Sequence, residues 1–139
     1  MSKILIVYVS MTGNTAKMAS TIYEGARAAG AEVTCKTVGD TSVNELANYD
    51  VIAFGSPAMG AEVIEEAEME LFFKESASLI NNKKIALFGS YGWGNGEWLR
   101  NWESRCKESG ANFIASVKAH LEPDDDAIKE CKDLGAKLA

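Results

Sequence analysis

One histidine, two prolines and three cysteines are all that 139 residues contain of these types, and each scarcity removes a class of chemistry. Cys35, Cys106 and Cys131 are odd in number, widely spaced and without a Cys-x-x-Cys pair. Iron–sulfur ligation, a zinc ribbon and a thioredoxin-type dithiol are therefore disfavoured, and three reduced cysteines packed as small apolar residues remain. His120 stands alone, and no paired-carboxylate, serine or cysteine nucleophile arrangement accompanies it. Basic residues number 14 against 20 acidic ones, a net charge of −6, which argues against nucleic acid as a partner. No apolar run approaches the roughly 20 residues of a membrane span, and Met1-Ser2-Lys3 leads straight into a strand without a signal peptide. A cytoplasmic monomer that touches neither membrane nor nucleic acid is expected.

What remains is ordinary for a globular domain: 47% apolar and 24% charged residues. The length fits one domain over 1–139, large enough to need no disulfide or metal. Ile4 to Val9, Val51 to Phe54 and Ile85 to Phe88 are continuous apolar runs, as strands buried on both faces read. Val33 to Val38 is more polar, as an edge strand is, and Phe113 to Val117 is a fifth run. Helical spacing follows each strand. Met18, Ala19, Ile22 and Ala26 precede a stop at Gly30, and a short helix covers Val43 to Ala47. A helix is expected from Ile64 to Ser76, with Ile64, Ala67, Leu71 and Phe72 on one face. Another spans Glu97 to Ser109, and Pro123 to Asp126 open the last, which presents Ile128, Cys131, Leu134 and Leu138. Alternating strands and helices predict an α/β, doubly wound parallel sheet covered on both faces. In such a sheet, ligands bind beyond the strands' carboxyl ends, where the strand order reverses.

Three loops lie at those ends. Ser10-Met11-Thr12-Gly13-Asn14-Thr15 holds three hydroxyls, an amide and one glycine before a helix start, a setting in which backbone N–H groups bind phosphate without a basic residue. No lysine occupies it, so it is not a Walker loop, and Gly-x-Gly-x-x-Gly is absent too. Ser56-Pro57-Ala58-Met59-Gly60-Ala61-Glu62 places a turn glycine between a methionine and an acid. In Ser90-Tyr91-Gly92-Trp93-Gly94-Asn95-Gly96 an exposed indole stands among glycines, where a planar ligand is its natural cover. Trp98 and Trp102, at i, i+4, read as packing. Glu62, Glu65, Glu66, Glu68 and Glu70 read as a solvated helix face that also steers positively charged partners.

Together, Ser10 to Thr15, Met59-Gly60-x-Glu62 and Gly89-Ser90-Tyr91-Gly92-Trp93-Gly94 resemble the phosphate loop and the two ring loops of short-chain flavodoxins, over the whole chain. The resemblance implies strand order 2-1-3-4-5 and non-covalent FMN. It implies that Ser10, Thr12, Asn14, Thr15 and Ser56 hold the phosphate, with Gly13 letting the backbone close on it. Met59 would cover the inner face of the ring and Trp93 the outer. The Gly60 carbonyl would turn to the ring N5–H and Glu62 would meet N3–H. Met11, Pro57, Ala58, Ser90, Tyr91, Gly92 and Gly94 complete the lining. Two positions depart from the pattern: Met11 replaces a small residue, and Ala61 stands where an acid is common.

The implied function is a low-potential one-electron carrier, cycling FMN between semiquinone and hydroquinone to shuttle electrons between redox proteins. At ~10 Å each negative charge disfavours an anionic flavin by roughly 0.4–1.7 kcal/mol, and the neutral phosphate loop adds no cation to offset it. Two rivals share the fold. A flavin or quinone reductase needs room on the ring face and usually a longer chain. A receiver domain needs acids where Val9-Ser10 and Gly55-Ser56 stand, so that reading fails.

Overall fold

The structure, a computed structural model, describes residues 2–139. Its strands are β1 (Lys3–Tyr8), β2 (Glu32–Thr37), β3 (Val51–Gly55), β4 (Lys84–Tyr91) and β5 (Asn112–His120). Its helices are α1 (Asn14–Ala28), α2 (Met69–Ser76), α3 (Glu97–Glu108) and α4 (Asp125–Leu138), with short 3-10 turns at Val38–Asp40 and Val43–Asn48. All strands are parallel and ordered β2-β1-β3-β4-β5, so the order reverses beside β1.

The apolar runs explain the layers. Along β1, Ile4 and Ile6 face one side of the sheet while Leu5 and Val7 face the other. β3 and β4 repeat this in register, with Val51, Ala53, Ala86 and Phe88 on the first side and Ile52, Phe54, Ile85 and Leu87 on the second. α1 and α4 cover the first side through Met18, Ile22, Cys131 and Leu134. α2 and α3 cover the second through Phe72, Phe73, Trp98 and Trp102. Phe54, Phe73 and Trp102 meet at centroid distances of 5.3, 5.8 and 6.2 Å. Each such pair adds about 0.5–1.5 kcal/mol beyond simple burial.

α1 and α4 touch backbone to backbone. A Cβ at Gly25 would collide with the Lys132 carbonyl, and one at Gly135 with the Ile22 carbonyl. These two mid-helix glycines each fill the other helix's groove, where no side chain fits.

The helix expected from Ile64 is shorter: α2 starts only at Met69. The cause is Glu65, whose carboxylate accepts hydrogen bonds from the N–H groups of Ala67, Glu68 and Met69 at 2.7–2.9 Å. A side chain so placed holds the helix start downstream of itself. Leu71 is 57% exposed and Ala67 is exposed as well, so the buried face is Met69, Phe72, Phe73 and Ser76 instead. On α4, Ala127 is buried and Ile128 only partly so.

Candidate functional site

The carboxyl ends of β1, β3, β4 and β5 converge on a cavity of about 240 Å³. Met11, Thr12 and Asn14 line it from the first loop, Pro57, Ala58 and Met59 from the second, and Ser90, Tyr91 and Gly92 from the third. Leu121, just past β5, is the tenth lining residue and was not anticipated. None of the ten carries a charge.

In the first loop Gly13 sits at φ 95, a left-handed conformation that glycine adopts freely, and a Cβ there would meet only open space. Ser10 Oγ accepts from the N–H groups of Gly13 (3.2 Å) and Ala16 (3.1 Å), which leaves its hydroxyl hydrogen free to donate. The N–H groups of Asn14 and Thr15 have no protein acceptor among the described residues. Thr15 is buried, and its hydroxyl pairs with Ser90 Oγ at 3.1 Å, tying the first loop to the third.

The helix starts differ in a way that bears on chemistry. Glu65 caps α2, and Asp124 caps α4 through the Ala127 N–H at 2.9 Å, followed by Asp125 and Asp126. α3 is capped from a distance: Glu62 Oε1 accepts from the N–H groups of Asn95 (3.2 Å), Gly96 (3.1 Å) and Glu97 (3.1 Å). α1 is capped by the neutral Ser10 hydroxyl and alone of the four described helices has no acid in its first turn. Its partial positive charge faces the cavity uncompensated. The first cation inside α1, Lys17, has its Nζ 4.0 Å from Glu122.

The second loop is a tight pinch. Met59 and Val63 exchange backbone hydrogen bonds of 2.8 and 3.0 Å, leaving Gly60 (φ 49), Ala61 and Glu62 (φ 55) at its tip. Ser56 lies fully buried below it, its hydroxyl donating to Pro57 O and accepting from the Glu65 N–H. The Ser56 hydroxyl thus ties its own loop to the approach to α2. Glu62 is only 8% exposed, and neither it nor Gly60 lines the cavity wall. Trp93 and Gly94 also stand outside the wall, Trp93 with 66% of its surface exposed. Trp98 is buried, its indole N–H donating to Ser56 O at 3.2 Å.

The run of acids is not one solvated face. Glu62 and Glu65 are buried helix caps, and Glu70 forms a two-pronged pair with Arg105 at 2.6 and 2.8 Å. Glu66 and Glu68 are the exposed members of the five.

A doubly wound sheet, an acid-free helix start at the point where the strand order reverses, and an uncharged cavity beside it define a binder of phosphorylated ligands. A sequence profile of the flavodoxin family matches residues 6–135. Flavodoxins of Megasphaera elsdenii and Clostridium beijerinckii are 45% and 42% identical over 134 residues, covering 96% of this chain and 96% and 97% of theirs. The solution structure of two-electron reduced Megasphaera elsdenii flavodoxin superposes with a TM-score of 0.89 at 44% identity, covering 97% of both chains. The chain belongs to the flavodoxin family. It is an FMN-binding electron-transfer protein that works with other redox proteins, rather than an enzyme.

Proposed function

We propose that this chain carries single electrons at low potential between redox proteins, as one FMN domain over 1–139 acting as a monomer. The observation that carries this reading is the start of α1, which presents uncompensated N–H groups and no acid to the cavity. FMN, when bound, supplies the electron-accepting ring, and the protein supplies binding, orientation and electrostatics.

Each loop has its task. The Asn14 and Thr15 N–H groups, the Ser10 and Thr12 hydroxyls and the Asn14 amide hold the phosphate, while Gly13 lets the backbone close round it. Thr15 and Ser56, through their internal hydrogen bonds, brace the first loop against the third and the second against α2. Met59 packs against the inner ring face. Trp93, exposed beside the cavity, has the ring as its cover. Gly60, already left-handed at the tip of the pinch, presents its carbonyl to the ring edge at little conformational cost. Glu62 has Oε1 engaged with three N–H groups, so Oε2 is the oxygen left to accept from a ring N–H. Ser90, Tyr91, Gly92, Gly94, Pro57, Ala58 and Met11 shape the walls.

An uncharged cavity in a chain of net charge −6 supports the low potential, because no cation lines the wall that added electrons would face. Met11, Trp93 and Leu121 are exposed apolar residues at this end, and Glu122, Asp124, Asp125 and Asp126 follow β5 on the same end. An apolar centre with an acidic margin suits redox partners that bring lysine and arginine.

Reductive titration of the FMN-loaded protein, followed by absorption, tests the reading. Two resolved one-electron steps, the second well below free FMN, are expected. A single two-electron step would overturn it, and steady-state NAD(P)H oxidation by the isolated protein would favour a reductase.

A further inference from the structure

The turn after β5 is fastened to the third loop at three points. His120 Nε2 lies 3.1 Å from Gly92 O. A carbonyl only accepts, so Nε2 carries the hydrogen and donates. The His120 ring packs tilted against Tyr91, with centroids 5.1 Å apart. The Leu121 N–H donates to Tyr91 O at 2.8 Å.

Leu121 is also held in an unfavourable conformation. Among the described residues, three that are not glycine have positive φ: Glu62, Asn82 and Leu121. Asparagine tolerates this region and leucine does not. Glu62 is at the site, where its carboxylate caps α3. Leu121, at φ 60, lines the cavity with 53% of its surface exposed, so the strain is held by its backbone contact to Tyr91 and not by burial of its side chain. Strain that the surroundings hold in place at a cavity wall is of the kind that clusters at ligand sites.

We propose that the His120–Leu121 turn is a fourth segment of the flavin site. His120 is a positioning residue that acts through Gly92. The carbonyl it holds belongs to the planar trans peptide ending in the Trp93 N–H, so fixing one end orients the other. Leu121 is kept left-handed so that its side chain flanks the ligand. The inference rests on the FMN reading above.

The test is titration of FMN into the FMN-free chain, read by quenching of flavin fluorescence, with thermal unfolding of each FMN-free variant alongside. His120→Gln keeps a donor, and His120→Phe keeps a flat ring without one. His120→Phe is expected to weaken binding about threefold, the scale of one partly exposed hydrogen bond, while His120→Gln stays near the parent. Leu121→Gly is expected to weaken binding without lowering the unfolding temperature of the free chain. Equal affinity of His120→Phe and the parent would overturn the positioning role, as would His120→Gln binding as weakly as His120→Phe. A loss of free-chain stability in His120→Phe matching its loss of affinity would reduce His120 to a structural residue. Unchanged binding by Leu121→Gly would remove Leu121. Failure of the parent chain to bind FMN would instead sink the flavin reading on which the proposal stands.

Discussion

Glu62 joins the second loop to α3, and substituting it tests whether that distant cap stabilises the chain. Its Oε1 accepts from the N–H groups of Asn95, Gly96 and Glu97, which lead into α3, at 3.1–3.2 Å. Glu62→Gln keeps an accepting oxygen and loses only the charge at the helix dipole, about 1 kcal/mol for a partly buried site. Glu62→Ala loses the cap as well and leaves the buried Gly96 N–H unpaired, about 2–3 kcal/mol in all. For a chain of this length, ~3 °C of unfolding temperature corresponds to each kcal/mol, so falls of about 3 °C and about 6–9 °C are expected.

Gly94 supplies a control. A Cβ at Gly94 would collide with the Glu62 carboxylate, and the residue's φ of 87 disfavours any side chain. Gly94→Ala therefore loses the cap and adds backbone strain of about 1–2 kcal/mol, whereas in a Glu62→Ala background only the strain remains. Urea unfolding of the two single variants and the double should reveal a coupling of about 2 kcal/mol. Additive effects, or a Glu62→Ala protein that melts with the parent, would refute the reasoning.

Trp93→Ala should leave the free chain's stability within about 0.5 kcal/mol, since the indole is exposed, yet raise the FMN dissociation constant severalfold. Equal FMN affinity by fluorescence titration would deny the indole its ring-covering role. Gly25→Ala and Gly135→Ala should each destabilise the fold by about 1–3 kcal/mol despite alanine's better helix propensity, because their new methyls collide with backbone. A higher urea midpoint in either would contradict the backbone contact of α1 with α4. Burial pushes the thiol of Cys35 up to about 11 and those of Cys106 and Cys131 up to about 12. Cys106 and Cys131 should resist iodoacetamide at pH 8 until the chain unfolds. Because thiols ionise more readily in the unfolded chain, their contribution to stability is complete below about pH 9 and is lost as pH climbs towards those values. Rapid native-state labelling, read by mass spectrometry, would contradict that burial.

The sheet was readable because β1, β3 and β4 are buried on both faces, and such strands announce themselves as unbroken apolar runs. The phosphate loop was readable because hydroxyls, an amide and a glycine crowd one turn. α2 was misjudged at its start because Glu65 caps it with its own side chain, and a glutamate before a helix looks the same whether it caps or is solvated. The acidic run misled for the same reason: burial of Glu62 and the pairing of Glu70 with Arg105 depend on partners about 35 positions away. Leu121 gave no signal, since a left-handed leucine is dictated by the contacts around it and not by its own preference. Gly25 and Gly135 carry one that the sequence reading above does not use. A glycine inside a helical pattern asks for a packing reason, and two such glycines in different helices ask for a shared one.

That shared contact also governs aim. Gly25 lies eleven residues into α1 from Asn14, roughly 17 Å along the axis at 1.5 Å per residue. The α4 contact is thus the fulcrum of a long arm whose tip is the anion-binding turn. A tilt of about 5° at the fulcrum would swing that tip by roughly 1.5 Å, half a hydrogen-bond length. Two absent side chains on the flank of the molecule therefore set the accuracy with which its far end meets a phosphate.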